Sequence, residues 1–445
     1  MFSALAYRIR RRQRLTWMEE LSVEQWLSAD QLQERSDVLT RNLIFHAATH
    51  VPYYRTVFRE RGIDPNLLRI PEEWTQVPIL DKDTLRHQYA DLISQSSHSQ
   101  NSYVNHTGGS TGVPVRFLTD NIQHARMGAW LDFVSTWAGW RPGELRLELW
   151  GNKEQQLPPT TWERIKASLS GAFAIPVYNY TEQEMFKWWQ VLASLRPTVI
   201  YGYPSVLADF AAWLKSEHRQ PPQIKGIFSS AEVLYIEQRA LIENVFGCKV
   251  FNQYGSKETP CVACECPAGG MHIFVNWNRV EFVDSGQVRE GRSEIVVTPL
   301  FNFAQPLLRY QIGDLGGLKS MPCSCGRGYP LMDLNIARSR DYLYSANGVR
   351  FYPGFFTRLM DGRSWVRAFQ FVQRAESDLV LHVIPDTASD PERMRADLQQ
   401  ELIPVLREKM GQNLQFSVEL VSGIDRTKAG KHRYVVNATR NADGV

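Results

Sequence analysis

Nine residues constrain this chain more than any others: positions 106–114 read HTGGSTGVP. Three glycines, two threonines and a serine offer almost nothing to a hydrophobic core, so the segment reads as a loop held by a scaffold on either side. Gly108, Gly109 and Gly112 accept positive φ and let successive backbone N–H groups turn towards one point, while Thr107, Ser110 and Thr111 add hydroxyl donors. A polyphosphate suits such a cradle; the plainer alternative is an ordinary surface loop. The phosphate-binding P-loop pattern ends in Gly-Lys-Ser/Thr, whereas Gly112 is followed here by Val113 and Pro114. The loop thus has no cation of its own. A nucleotide bound here needs positive charge from elsewhere in the chain or from a metal.

At 445 residues the chain exceeds one ordinary core, and a large domain with a smaller one is expected. Lys and Arg number 50 against 47 Asp and Glu, so a net charge of +3 gives no general pull towards nucleic acid or anionic membrane. The basic run at 8–14 (RIRRRQR) is the local exception, read as a solvated helix face or a phosphate contact. No run approaches the ~20 apolar residues of a membrane span, and no cleavable leader is evident, so cytoplasmic residence is the expectation. The 13 Trp, 17 Tyr and 21 Phe suit a large core and an apolar pocket.

Five of the six cysteines fall in two tight groups. Clustered thiols in a cytosolic chain point to a metal before a disulfide. Cys266, His272, Cys323 and Cys325 make a Cys₃His set that would close a tetrahedral zinc site between two loops, with Cys264 able to replace one ligand. Such a closed set is structural, because it leaves no open position for chemistry.

Residues up to about 100 look helical, with Asp81 capping a helix that begins at Lys82. After the glycine loop, extended candidates at 198–201 (TVIY), 225–228 (KGIF) and 249–252 (KVFN) alternate with helical segments at 205–216 and 236–246. Alternation predicts α/β layers around a largely parallel sheet, with ligands gathered at loops after the strands' carboxyl ends. A boundary falls near 335–345. Beyond it, strands around 369–372, 379–383 and 414–421 and a helix over 391–410, capped by Asp390, begun by Pro391 and stopped by Gly411, make a small α+β domain.

Four further elements carry chemistry. NQYGSKE at 252–258 runs a strand into a glycine turn bearing an aromatic ring, a hydroxyl and a carboxylate. Arg309-Tyr310 precedes Gly313-Asp314, whose carboxylate could take two vicinal hydroxyls. Arg338 and Arg350 flank the expected boundary, and RTKAGKHR at 426–433 sets a glycine immediately before Lys431.

In this order and spacing the elements resemble the adenylate-forming superfamily of acyl-CoA synthetases, adenylation domains and luciferases. Closer likeness is to the phenylacetate-CoA ligase branch with its capsular-polysaccharide relatives, through HVPYYR at 50–55, PILDKDTLR at 78–86, RPTVIYGYPS at 196–205, ECPAGGMHI at 265–273 and CSCGRG at 323–328. The resemblance implies an adenylation domain over 1–336 with the zinc knuckle, and a small mobile α+β domain over 337–445 carrying the catalytic lysine. It further implies that residues 107–112 cradle the ATP phosphates, that Ser230, Ala231, Glu232 and Tyr254 border adenine within a site including Asn252, Gly255 and Ser256, and that Glu258 holds Mg²⁺. Asp314 would bind the ribose with Arg338 assisting, Arg350 would join the nucleotide site, and Lys431 would supply the cation that the glycine loop lacks. ATP, Mg²⁺, CoA and structural Zn²⁺ are the implied cofactors, and an aromatic or other small carboxylic acid the substrate, with Trp137, Tyr201 and Tyr203 as pocket-wall candidates. An amine, carrier protein or sugar intermediate is the alternative acceptor. The remaining alternative is a zinc-stabilised binding protein without catalysis; nucleic acid is not an expected partner of the favoured reading, and a homodimer is left open. The family's boundary glycine is Ala337 here, and Arg340 stands where Asp or Lys is common.

Overall fold

The structure is a computed structural model that describes residues 12–106, 115–150, 159–177, 180–284, 293–334, 343–345, 350–351, 353–360, 363, 365–386, 390–425 and 433–439. The chain divides into two compact units, a large one drawn mostly from the residues up to Leu334 and a small one that groups Asn335–Val445 with the short segments Gly108–Val113 and Gly313–Leu315.

The large unit is organised by a sheet whose centre comprises β1 (Arg146–Leu149), β2 (Ala172–Ile175), β3 (Val199–Gly202), β4 (Gly226–Ser229) and β5 (Val250–Tyr254). These five are parallel, in the order β2, β1, β3, β4, β5. Strands β3 and β4 are buried at every position, as expected of parallel strands covered on both faces. Alternate residues serve opposite faces. Ile200, Ile227 and Val250 pack with the helices Glu182–Leu195, Pro204–Ser216 and Ile236–Phe246. Val199, Tyr201, Phe228 and Phe251 pack with helix Asn121–Trp137 and the segments around Cys266 and Phe274. Tyr201, Phe228 and Phe251 form a stacked ladder across β3, β4 and β5, with ring centroids 4.7 and 5.0 Å apart.

The expected strands and both helices form within a residue or two of their predicted bounds. The expectation of a largely parallel sheet needs correction. Beyond β5 the sheet continues through β6 (Ala263–Glu265), β7 (Met271–Ile273), β8 (Asn278–Val283), β9 (Ser293–Pro299), β10 (Tyr310–Lys319) and β11 (Leu331–Asp333), giving eleven strands in all. The added pairings β5–β6, β6–β7, β7–β11, β10–β11 and β8–β9 are antiparallel. Short connections explain this, because a strand followed at once by its neighbour has no room for a crossover helix.

Caps predicted from sequence are present: Asp81 Oδ1 accepts from Thr84 N at 2.7 Å, and Asp390 Oδ1 from Glu392 N at 3.0 Å. The small unit contains a four-stranded sheet of Val366–Ala375, Asp378–Pro385, Gln415–Leu420 and Val435–Asn437. Its core gathers Phe356, Phe371, Leu381, Leu402 and Leu406. The helix expected over 391–410 is interrupted: Pro391–Asp397 and Ile403–Met410 are joined by a wider π turn, Leu398–Leu402. Pro404 has no N–H and its ring crowds the carbonyl of Gln400, which the looser turn accommodates. Among the described residues no helix is long and apolar enough to cross a membrane.

One buried charge network anchors helix Asn121–Trp137 to the sheet. Asp132 meets Arg146 at 3.0 Å and Arg14 at 3.3 Å, and Arg146 also reaches Glu148 at 2.9 Å. Burial works against the Arg146 charge, but Asp132 and Glu148 outweigh it and hold the guanidinium protonated. Removing Asp132 leaves a buried cation short of its partner, so Asp132→Ala should cost about 3–5 kcal/mol in equilibrium denaturation. Glu148→Ala, at a carboxylate 31 % exposed, should cost clearly less.

Candidate active site and metal centre

The carboxyl ends of β3, β4 and β5 release three loops side by side. After β4, Ser230 N–H donates to the Gly202 carbonyl at 3.2 Å and its hydroxyl to the Gln253 carbonyl at 3.4 Å, tying all three strand ends together. Ala231 then adopts φ +72°, a conformation costly for a residue with a Cβ, and this turns Glu232 back towards β3. Glu232 Oε2 accepts from Ser205 N at 3.1 Å, capping helix Pro204–Ser216 just behind Tyr203. Asn252, inside β5, accepts from Ser229 Oγ at 3.5 Å, and its own N–H donates to Glu265 at 3.0 Å.

The loop after β5 is the tightest. At Gly255 a Cβ would lie 3.0 Å from the Thr259 carbonyl oxygen and 3.1 Å from Cys261 N, so a side chain there would force the turn open. Ser256 closes the turn, its N–H donating to Thr259 O at 2.9 Å and its hydroxyl accepting from Thr259 N at 3.1 Å. Tyr254 is buried beneath it. This turn carries Glu258, 5 % exposed, one of whose oxygens accepts from the Tyr310 hydroxyl at 3.3 Å. No described basic group pairs with that carboxylate. If ionised, an acid so far from water calls for a cation, and an oxygen ligand of this kind fits a hard divalent ion such as Mg²⁺.

Asp314 is 8 % exposed within β10, directly after Gly313 at φ +90°. Arg350 lies in a two-residue strand paired with Leu343–Tyr344. Thr107, Gly108, Gly109, Ser110, Thr111, Gly112, Arg338 and Lys431 lie outside the described residues. The pocket-wall candidates separate. Trp137 and Tyr201 are built into the core: the Trp137 indole donates to Gln25 at 3.2 Å and the Tyr201 hydroxyl to the Leu131 carbonyl at 3.1 Å. Tyr203 stands at the strand ends, stacked 4.2 Å from the half-exposed Trp150.

Away from these loops, Cys266, His272, Cys323 and Cys325 converge, with one ligand atom of each within 4.8 Å of the others. His272 Nδ1 donates to the Tyr329 carbonyl at 2.9 Å, which leaves Nε2 as a lone pair 3.1 Å from Cys325 Sγ. Burial lowers the His272 pKa and keeps the ring neutral. Cys266 Sγ and Cys323 Sγ are 3.5 Å apart, and a Cβ on Gly270 would come within 2.7 Å of Cys323 Sγ. Three thiols and an imidazole, with no fifth donor among the described residues, match a closed tetrahedral zinc site. Cys264 faces His272 across the β6–β7 pair but is not among the converging ligands, and burial pushes its thiol well up. The centre joins distant segments, since Arg327 beside it lies 4.6 Å above the Trp137 ring and donates to Gln25 at 2.8 Å.

Three contacts lay beyond sequence reading: Tyr310 to Glu258, Lys257 Nζ to the His106 carbonyl at 3.1 Å, and Trp150 on Tyr203. Only Lys257 carried a signal, being a cation inside the YGSKE turn.

Residues 343–438 match the CapK C-terminal domain family. Protein CapK of Staphylococcus aureus is 26 % identical, covering 86 % of this chain and 84 % of that protein. A phenylacetate-coenzyme A ligase of Thermus thermophilus is 25 % identical over 92 % of this chain and 97 % of that one. In fold, the chain resembles the crystal structure of 2-hydroxyisobutyryl-CoA ligase in its postadenylation state with 2-HIB-AMP, at a TM-score of 0.73 and 22 % identity over 93 % of this chain and 91 % of that one. Over most of its length the chain is thus similar in sequence to CapK and to phenylacetate-CoA ligases, and in fold to an acyl-CoA ligase.

Proposed function

We propose that this chain uses ATP to convert a small carboxylic acid to its acyl-adenylate, releasing pyrophosphate, and then transfers the acyl group to the thiol of CoA. The observation that carries the reading is Glu258, a buried carboxylate without a described basic partner, on the turn that follows β5 beside the Ser230–Glu232 loop. Relatives named as CoA ligases along nearly the whole chain support it.

A substrate carboxylate oxygen attacks the α-phosphorus, an anion meeting an anion, so the barrier is chiefly electrostatic. Mg²⁺ held by Glu258 would supply charge neutralisation at the phosphates. Tyr254 offers a ring for adenine and the Ser230–Glu232 loop its border; Asp314 takes the ribose hydroxyls with Arg338; residues 107–112 hold the phosphates by backbone N–H groups. Lys431 bridges the α-phosphate and the attacking carboxylate from a domain that we place at 337–445. Tyr203 and Trp150 form a flat aromatic wall suited to a planar acid, and the proposed zinc at Cys266, His272, Cys323 and Cys325 serves structure alone.

A screen of pyrophosphate release across a panel of carboxylic acids, with CoA, amines or a carrier protein as acceptor, tests the reading: release with at least one acid and a CoA-dependent thioester are expected, and no release with any acid contradicts it. Lys431→Ala should slow ATP–pyrophosphate exchange by at least ~10²-fold while thioester formation from supplied acyl-adenylate survives; unchanged exchange would remove the lysine from its role. Metal analysis should find one zinc per chain, and Cys323→Ser should lower folded yield and melting temperature more than turnover. Metal-free, fully folded protein would refute the zinc assignment.

A further inference from the structure

We propose that Lys257 is a second phosphate-binding cation, fixed on the large unit. The inference rests on the nucleotide-site reading above and adds to it a residue of this chain. Lys257 sits between Ser256, which closes the turn, and the buried Glu258. Its Nζ donates one hydrogen bond, at 3.1 Å, to the carbonyl of His106, the last residue of strand Ser102–His106. The next residue in the chain is Thr107, where the glycine-rich run begins. Two different parts of the sequence, 151 residues apart, thus hold one ammonium where the phosphate-binding run starts.

The bonding leaves that ammonium with work to do. Lysine has three N–H donors, and among the described residues one is spent, on the carbonyl. No carboxylate pairs with Lys257 among the described residues, and its side chain is exposed, so packing does not explain it. A carbonyl acceptor orients the amine without neutralising it. A full positive charge, oriented by its neighbour and adjacent to a metal-holding acid, suits a nucleotide's phosphate oxygens and does nothing for the adenine or ribose. Position on the large unit distinguishes it from Lys431. Lys257 therefore acts in the binding of ATP and in the retention of the adenylate, whereas Lys431 acts in the attack of the substrate carboxylate on the α-phosphorus.

The test is calorimetric titration of the full-length chain with α,β-methylene-ATP, in Mg²⁺, and separately with adenosine. Lys257→Ala should weaken the triphosphate analogue about tenfold, the scale of one charge-assisted contact, and leave adenosine binding unchanged. Raising the salt concentration should narrow the difference, and Lys257→Arg should restore most of the affinity. An unchanged triphosphate affinity overturns the proposal, as does an equal loss for adenosine, which would mark a structural role. Wild-type protein that binds neither ligand removes the nucleotide-site reading itself and the proposal with it, an outcome distinct from wild-type binding that ignores Lys257. A matching melting temperature for the variant is expected, since the side chain is exposed.

Discussion

A carboxylate held 5 % exposed at the end of a parallel strand is the constraint on which the site depends. Glu258 could not persist there as an isolated charge, because burying one costs several kcal/mol beyond what a single phenol returns. The surroundings supply that phenol through Tyr310 and, among the described residues, no basic group. Three features position Glu258: the glycine turn at Gly255, the Ser256–Thr259 closure, and strand β5 itself. The Mg²⁺ that the reading assigns to this acid is thus the completion of a charge pair that folding has half built.

The sheet explains why the remaining groups gather at this end. Parallel strands all release their loops at one edge, so Tyr203, the Ser230–Glu232 loop and the Tyr254–Glu258 turn are neighbours although they span more than fifty residues of sequence. Hydrogen bonds from Ser230 to the strands on both sides make these loops one object. The Cys₃His centre works at a different place and on a different problem. With the proposed zinc it would fasten short strands and a loop to the helix carrying Trp137, with which Cys264, Cys266, Cys323 and Cys325 share a packing cluster. Loss of that fastening should loosen the scaffold before it touches the chemistry.

Much of this was legible in sequence because the signals were local. Asp81 and Asp390 announced helices by the hydrogen bonds they could make within three residues, and the cysteine spacing announced a centre because ligands two or six positions apart cannot scatter far. Signals that depend on distant pairing stayed hidden. Nothing in RYQIGD says that the Tyr310 hydroxyl meets an acid 52 residues earlier, and nothing in YGSKE says that Lys257 reaches back to His106. Strands of three residues, such as Ala263–Glu265 and Met271–Ile273, are too short to show a period, and that hid the point where the sheet turns antiparallel. Aromatic residues were ambiguous for a related reason: Tyr201 and Tyr203 lie two positions apart in one segment, yet one joins a core ladder while the other faces Trp150.

The central claim is that a carboxylate oxygen of the substrate becomes bonded to the α-phosphorus of ATP. It is tested most directly by running the full reaction with an acid labelled with ¹⁸O in its carboxylate, once an accepted acid is in hand, and weighing the AMP formed. The account predicts one labelled oxygen in each AMP, because hydrolysis or thiol attack on the mixed anhydride leaves that oxygen on phosphorus. Unlabelled AMP, or label found in inorganic phosphate instead, would contradict it.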